Sequence, residues 1–139
     1  MKNLLLILSE IFMIFSKKEN ENNSHLTEGY YEINSHLNNL YLSVNNKNLI
    51  FSNRKFSFHI IPITNLSYFI QFQDQNIGIN NNNNLVVNNK MENNETRKFI
   101  WNIHNIKRNQ YIIQNFYNNK LIEISDNYMR LSNILKNIY

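Results

Sequence analysis

The sequence predicts an all-β domain built from three four-stranded repeats, and two observations lead to this prediction. One stretch occurs three times, over residues 31–53, 68–89 and 111–133 of the 139-residue chain. Each copy opens on Tyr, carries Ile two residues later, and closes with an apolar run followed by Ser-Asn or Asn-Asn. Apolar and polar residues also alternate with a period of two, which is typical of strands with one buried face.

Four strands per copy follow from this alternation. The first strands are marked by alternating apolar residues at Tyr31/Ile33, Tyr68/Ile70/Phe72 and Tyr111/Ile113. The second strands are marked in the same way at Leu42/Val44, Ile77/Ile79 and Ile122/Ile124, and the closing apolar runs form the third. Fourth strands are predicted over residues 56–60 and 99–103, whereas the third copy has only residues 134–139 for this strand.

The N-terminal segment has a different pattern. Residues 4–15 are mostly apolar and follow Lys2, which is typical of a signal peptide cleaved after Ser16. The segment is too short to span a bilayer. The alternative to a signal peptide is a short helix packed on the domain. Residues 17–28 are predicted to be a polar spacer. If residues 1–16 are a signal peptide, the protein is secreted or displayed at the cell surface.

Three copies of four short strands predict a β-trefoil, a closed fold with pseudo-threefold symmetry in which no single copy can bury its apolar face alone. The domain covers residues 29–139, with repeats at about 29–66, 67–108 and 109–139. The chain has no cysteine, which excludes disulfides, a thiolate nucleophile and cysteine metal sites. Its net charge of +4 permits anionic partners without requiring them.

The third copy resembles the repeat of the ricin-type β-trefoil lectins. Tyr-Ile-Ile-Gln-Asn at 111–115 and Asn-Lys-Leu-Ile-Glu-Ile at 119–124 match the first half of that repeat. Phe-Ser-Phe at 56–58 and Phe-Ile-Trp at 99–101 stand where the family has Gln-x-Trp. The resemblance covers residues 29–139 and implies a carbohydrate-binding β-trefoil.

The resemblance also implies where sugar sites would lie. The family binds sugar with an acidic residue in the second strand and an aromatic ring that closes the third strand. The position of the acidic residue corresponds to Ser43, Asn80 and Glu123 in the three copies. The position of the aromatic ring corresponds to Ser52, Asn88 and Ser132. No copy keeps the ring, and only the third keeps an acidic residue.

The third copy is therefore the candidate carbohydrate site. Glu123 is expected to accept hydrogen bonds from hydroxyl groups and Arg130 to donate them. Phe116 or Tyr117 would supply a displaced ring, with Asn119 in the same loop. The alternative is that Glu123 and Arg130 are a solvent-facing cross-strand pair.

Two basic pairs, Arg54-Lys55 and Arg97-Lys98, precede equivalent strands. Threefold symmetry would put them at the same end of the barrel, where, with Lys107-Arg108, they would form a patch for sulfated glycans or nucleic acid. Ordinary surface lysines and arginines are the alternative.

No catalytic constellation is visible. The four histidines are isolated in the sequence, and no nucleophile stands in a triad context. We therefore expect a non-enzymatic recognition module without a cofactor or metal. Its predicted partner is a glycan or glycoprotein. The alternatives are a protein partner, docked on the short last strand, and a polyanion at the basic end; nucleic acid is not favoured.

Overall fold

The computed structural model describes residues 13–17, 26–35, 39–88, 96–107, 110–125 and 128–132. These residues form the strands β1 Met13–Lys17, β2 Gly29–Ser35, β3 Tyr41–Asn45, β4 Asn48–Ser52, β5 Phe58–Pro62, β6 Ser67–Phe72, β7 Gln75–Ile79, β8 Leu85–Asn88, β9 Ile100–Lys107, β10 Gln110–Asn115, β11 Leu121–Ser125 and β12 Tyr128–Ser132. A 3-10 turn, Thr96–Phe99, precedes β9. Every described pairing is antiparallel, which confirms the all-β prediction.

The core is built from the alternation that the sequence shows. Three equivalent strands, β2, β6 and β10, each place a Tyr and an Ile two residues later in the interior. Trp101 of β9 is fully buried, and its Nε1 donates a hydrogen bond of 2.8 Å to the Ile77 carbonyl. Each buried aliphatic or aromatic side chain of this kind contributes about 1.5–3 kcal/mol to stability.

Six of the strands pair in a cycle. The pairings run from β1 to β2, β5, β6, β9 and β10 and then return from β10 to β1. The other six strands form the hairpins β3–β4, β7–β8 and β11–β12. Two of these hairpins meet where Tyr128 of β12 pairs with Ile50 of β4.

The three hairpins attach at one end of the six-strand cycle. Each hairpin begins where β2, β6 or β10 ends, and the chain then returns from β4 into β5 and from β8 into β9. We call this end the cap end and the other the open end. The open end carries the starts of β2, β6 and β10.

The fourth strand of the third copy was predicted over residues 134–139, which lie outside the described residues. The equivalent place in the cycle is occupied by β1, from the other end of the chain. Tyr31 pairs with Phe58 of β5 and Tyr68 with Trp101 of β9, and Tyr111 pairs in the same way with Met13 of β1. On their other edges, Ile60, Ile103 and Phe15 pair with Ile70, Ile113 and Ile33 respectively.

Residues 13–16 were assigned to a signal peptide or, alternatively, to a short helix. The backbone there is extended, so the helix alternative is wrong for these residues; residues 1–12 lie outside the described part. Phe15 is buried and packs edge-to-face against Tyr31 and Tyr111, with ring centroids 6.1 and 5.3 Å apart. The predicted polar spacer also contributes to the core, because Leu26 is buried.

Candidate functional site

The loop between β10 and β11, residues 116–120, is held in place by a buried side chain. Asn115 is fully buried, and its Oδ1 accepts hydrogen bonds from the backbone N–H groups of Tyr117 and Asn118 at 2.9 and 3.3 Å. Its Nδ2 donates to the Lys98 carbonyl at 3.1 Å. Asn115 therefore fixes both the loop and its position against the segment that precedes β9.

This loop presents two neighbouring aromatic rings to solvent. Phe116 is 44% exposed and Tyr117 is 54% exposed. The Lys98 ammonium lies 5.5 Å from the centre of the Tyr117 ring, which is within the range of a cation–π contact. The rings predicted from the sequence are thus accessible, and Lys98, which was predicted for a different site, joins them.

Two asparagines of the loop have separate roles. Asn119 has a φ of 61°, and its N–H donates to the Asn115 carbonyl at 2.9 Å, so its backbone closes the loop. The Nδ2 atom of Asn118 is buried and has no hydrogen-bond partner among the described residues. A buried donor without a partner is costly and is normally satisfied by a water or a ligand. Nothing in the sequence distinguishes Asn118 from the other asparagines.

Glu123 and Arg130 are brought together by the strand register. They are directly opposite each other on β11 and β12. This is the cross-strand arrangement that the sequence allowed as the alternative to a sugar-binding role. Opposite positions on antiparallel strands permit a pair of unlike charges that stabilises the hairpin.

In the first copy, the equivalent place is filled by the protein itself. Ser43 and Ser52, which correspond to Glu123 and Ser132, have hydroxyl oxygens 2.6 Å apart. The Ser43 hydroxyl also lies 3.0 Å from the Tyr41 carbonyl and 3.2 Å from the Arg54 carbonyl. Ser43 is buried, so this copy offers no accessible acceptor at that place.

In the second copy, the sequence-based assignment of Asn80 is wrong. Asn76 pairs with Asn88, and Gly78 pairs with Val86. Gly78, and not Asn80, therefore occupies the position on β7 that corresponds to Glu123 on β11. Asn80 instead begins the turn to β8, and its Oδ1 accepts from the N–H groups of Asn82 and Asn84. This turn is longer than the turn between β3 and β4. The run of asparagines gives no sign in the sequence of where β7 ends and β8 begins, so the difference in length could not be predicted.

Gly78 leaves no room for a ligand-binding side chain. A Cβ added there would lie 2.3 Å from Phe99 Cδ1 and 2.7 Å from the Lys98 carbonyl oxygen. The 3-10 turn therefore sits directly on this strand. Two of the three places equivalent to Glu123 are closed, and the exposed rings of Phe116 and Tyr117 belong to the third copy.

The two basic pairs lie at the same end of the fold, as the sequence predicts, whereas Lys107, which was expected to join them in one patch, ends β9 at the opposite end. Arg54-Lys55 precede β5 and Arg97-Lys98 precede β9, and β5 and β9 run in the same direction because both are antiparallel to β6. The Arg54 guanidinium lies 5.4 Å from the centre of the Phe56 ring, and the Lys55 ammonium lies 5.6 Å from that of Tyr41. Arg97 is exposed.

The described histidines have structural neighbours. His59 stacks on Tyr30 with ring centroids 4.7 Å apart, and its Nε2 is 3.5 Å from a carboxylate oxygen of Glu28. His104 Nε2 is 3.3 Å from Gln114 Oε1. Across the described ranges, no three side chains of metal-ligand type are clustered closely enough to hold a metal ion.

No helix in the described part of the chain is long and apolar enough to cross a membrane. Comparison with known proteins gave no match, either to a protein-family model or to a curated protein.

Proposed function

We propose that the chain folds as a β-trefoil, with the six-strand cycle as its barrel and the three hairpins as its cap. The equivalent registers of β5, β9 and β1 against the tyrosine-bearing strands support this arrangement. So do the matching loops of the first and third copies. In both, the residue that ends the first strand accepts from a left-handed Asn four residues on, with φ values of 58° for Asn39 and 61° for Asn119.

We further propose that this trefoil is a non-catalytic carbohydrate-recognition module with its site in the third copy. The observation that carries this proposal is the pair of exposed rings, Phe116 and Tyr117, on a loop pinned by the buried Asn115. Exposed aromatic faces on a rigid loop can stack on the apolar face of a sugar at little entropic cost. The equivalent places in the other two copies are closed by Ser43–Ser52 and by Phe99 over Gly78.

Different residues of the third copy make different contacts with the sugar. Tyr117 or Phe116 supplies the stacking face. Glu123 and Arg130, opposite each other on the hairpin, supply an acceptor and donors for hydroxyl groups. Asn119 acts through the loop shape that its backbone fixes.

A glycan array probed with the full chain tests this proposal, and a dissociation constant for the best ligand then gives the reference. Tyr117→Ala is expected to weaken binding roughly fivefold or more, because a central aromatic contact is worth over 1 kcal/mol. Tyr30→Ala is the matched control. Tyr30 is equally exposed, at 55%, but lies at the open end of the fold.

Equal losses in the two tyrosine variants would place the site elsewhere. An array without any glycan signal would overturn the carbohydrate proposal and favour the protein-partner alternative. For that alternative, the exposed Ile63 and Leu66 at the open end provide an apolar surface. Pull-down with an Ile63→Ser/Leu66→Ser double variant would then test it.

A further inference from the structure

The turn between β5 and β6, residues 63–66, lies at the open end of the fold, and each of its four residues is exposed. The N–H groups of Ile63 and Thr64 donate hydrogen bonds to the Ser67 carbonyl at 2.7 and 3.2 Å. Thr64 Oγ1 accepts from the N–H groups of Leu66 and Ser67 at 3.4 and 3.2 Å. The turn therefore has a defined shape, although its side chains lie outside the core.

This turn begins an Asn-x-Ser triplet, the acceptor sequence for N-linked glycosylation. The triplet is Asn65-Leu66-Ser67, and its middle residue is not proline, which would prevent modification. Two further triplets start at Asn22 and Asn94, which lie outside the described residues. A chain so rich in asparagine also contains such triplets by chance, so the sequence alone assigns no role to any of them. The exposed turn gives Asn65 the structural setting that a glycan requires.

The Asn65 side chain is accessible for modification. Its carbonyl oxygen accepts a hydrogen bond from the Tyr68 hydroxyl at 3.5 Å, whereas its carboxamide has no hydrogen-bond partner among the residues that the structure describes. A glycan on Nδ2 would therefore break none of the described hydrogen bonds and would extend into solvent. Because the turn lies at the open end, the glycan would also leave the rings of Phe116 and Tyr117 at the cap end uncovered.

Two exposed apolar side chains flank the acceptor residue. Ile63 is 42% exposed and Leu66 is 45% exposed. Apolar side chains that are exposed close together favour association with other molecules. A glycan is bulky and well solvated, so a glycan on Asn65 would cover these two side chains and keep the open end soluble.

The Ser67 hydroxyl indicates when the glycan is added. In the folded domain, Ser67 Oγ donates a hydrogen bond to Asn102 Oδ1 at 2.8 Å, where β6 pairs with β9. The hydroxyl of the triplet must be available to the transferring enzyme, so transfer has to precede this pairing. Asn102 follows Ser67 by 35 residues. The triplet is therefore accessible on the nascent chain before β9 has been made.

We infer that the chain enters the secretory pathway, as its apolar N-terminal segment predicts, and that Asn65 there accepts an N-linked oligosaccharide. The donor is an oligosaccharide carried on a lipid diphosphate. The bond between the first sugar carbon and the diphosphate oxygen breaks, and a bond from that carbon to Asn65 Nδ2 forms. Nδ2 loses one proton, and the lipid diphosphate leaves. This inference does not depend on the proposed carbohydrate recognition.

The test is translation of the full chain in the presence of microsomes from the endoplasmic reticulum, followed by electrophoresis with and without peptide N-glycosidase. The variant Asn22→Gln/Asn94→Gln keeps the Asn65 triplet and is expected to show one glycosidase-sensitive shift in mobility. Adding Asn65→Gln is expected to abolish the shift. Ser67→Ala in the double variant is expected to abolish it as well, whereas Ser67→Thr, which keeps the hydroxyl, is expected to retain it.

A parallel chain with a strong secretory signal ahead of Met1 separates delivery from acceptance. A shift that requires the added signal would overturn the inference, because the chain's own N-terminal segment would then not deliver the acceptor. Absence of a shift in both chains would overturn Asn65 as an acceptor. A shift that persists after Asn65→Gln would place the glycan at another residue.

Light scattering of the secreted full chain tests whether the glycan covers the apolar pair. Asn65→Gln is expected to increase scattering at high protein concentration, and Ile63→Ser/Leu66→Ser in the same chain is expected to reverse the increase. Equal scattering of the chain with and without its glycan would overturn the covering role. Circular dichroism confirms that each variant is folded.

Discussion

Asparagine occupies several backbone positions with positive φ, a conformation that glycine adopts most readily. The described residues with positive φ include Asn39, Asn46, Asn83 and Asn119, together with Lys47 and Gln73. Asparagine tolerates the left-handed region better than other side-chain-bearing residues, so a chain with two glycines can still form tight turns. The asparagine run from Asn80 to Asn84 accordingly forms the turn between β7 and β8.

Gly78 shows the opposite case, in which a small residue is required by close packing. Gly78→Ala is expected to destabilise the protein by about 1–3 kcal/mol, because the new methyl group would overlap the Phe99 ring and the Lys98 carbonyl. Urea unfolding followed by tryptophan fluorescence measures the change, since Trp101 is fully buried.

A double variant makes this prediction specific. Phe99→Leu removes ring atoms from the point of overlap, so Gly78→Ala is expected to cost less in that background than in the natural chain. Additive effects of the two substitutions would show that the overlap is not the cause. A neutral Gly78→Ala would contradict the close approach of the 3-10 turn to β7.

At the scale of elements, the alternation of apolar residues predicted the strands of the three copies but not the strand that completes the cycle. Burial alternates with a period of two in β2 and β6, as expected for a half-buried strand, whereas β10 buries Ile112 as well as Tyr111 and Ile113. β1 begins inside an apolar run at residues 11–15, and a run without alternation does not distinguish a strand from a helix or a signal peptide. Register, which depends on pairing with β2 and β10, is invisible in that run.

The candidate site was predictable to a similar degree. The rings of Phe116 and Tyr117 follow from the repeat pattern, because the loop position is set by the strands on either side. The equivalence of Gly78 to Glu123 could not be predicted from the repeat pattern, since it depends on the length of the Asn80–Asn84 turn. The contact of Lys98 with Tyr117 joins two copies and has no local signal in the sequence.

β1 has a testable role in stability. Phe15→Ala is expected to cost about 3–5 kcal/mol, because the ring is buried between Tyr31 and Tyr111 and its loss leaves a cavity. Deletion of residues 1–16 is expected to cost more, since β2 and β10 would both lose a pairing partner.

Thermal unfolding of these two variants is compared with that of a chain lacking residues 1–12, which keeps β1. A chain without residues 1–16 that is as stable as this control would remove β1 from the fold. Cleavage after Ser16, predicted from the sequence, would take away four of the five residues of β1. We therefore expect residues 13–17 to stay with the folded domain wherever the protein is located.

At the scale of the whole molecule, two of the three equivalent core tyrosines, Tyr68 and Tyr111, link stability to pH. Burial is the main cause that raises the pKa of Tyr68 and of Tyr111 above the ordinary value of 10.0. In the unfolded chain these phenols ionise near pH 10, whereas in the folded protein they stay protonated to a higher pH. Their contribution to stability is therefore complete below about pH 10 and is lost as the pH rises through the folded-state pKa.

The urea midpoint measured from pH 8 to pH 11 is expected to fall in the alkaline part of this range. Tyr68→Phe and Tyr111→Phe should each make that fall less steep, because each removes one buried group that ionises on unfolding. Tyr30→Phe, which removes an exposed phenol, serves as the control. An unchanged slope in both core variants would mean that other groups cause the alkaline loss.

The pairing of β1 with β10 also sets the order in which the protein can be completed during synthesis. Met13 pairs with Tyr111, so the first described strand to leave the ribosome waits for a partner made near the end of translation. Contacts between such distant parts of the chain form slowly, because the entropy of closing the long loop must be lost first. Until then the apolar strand is exposed, and we expect the nascent chain to depend on chaperones or on transient pairing of β1 with β2.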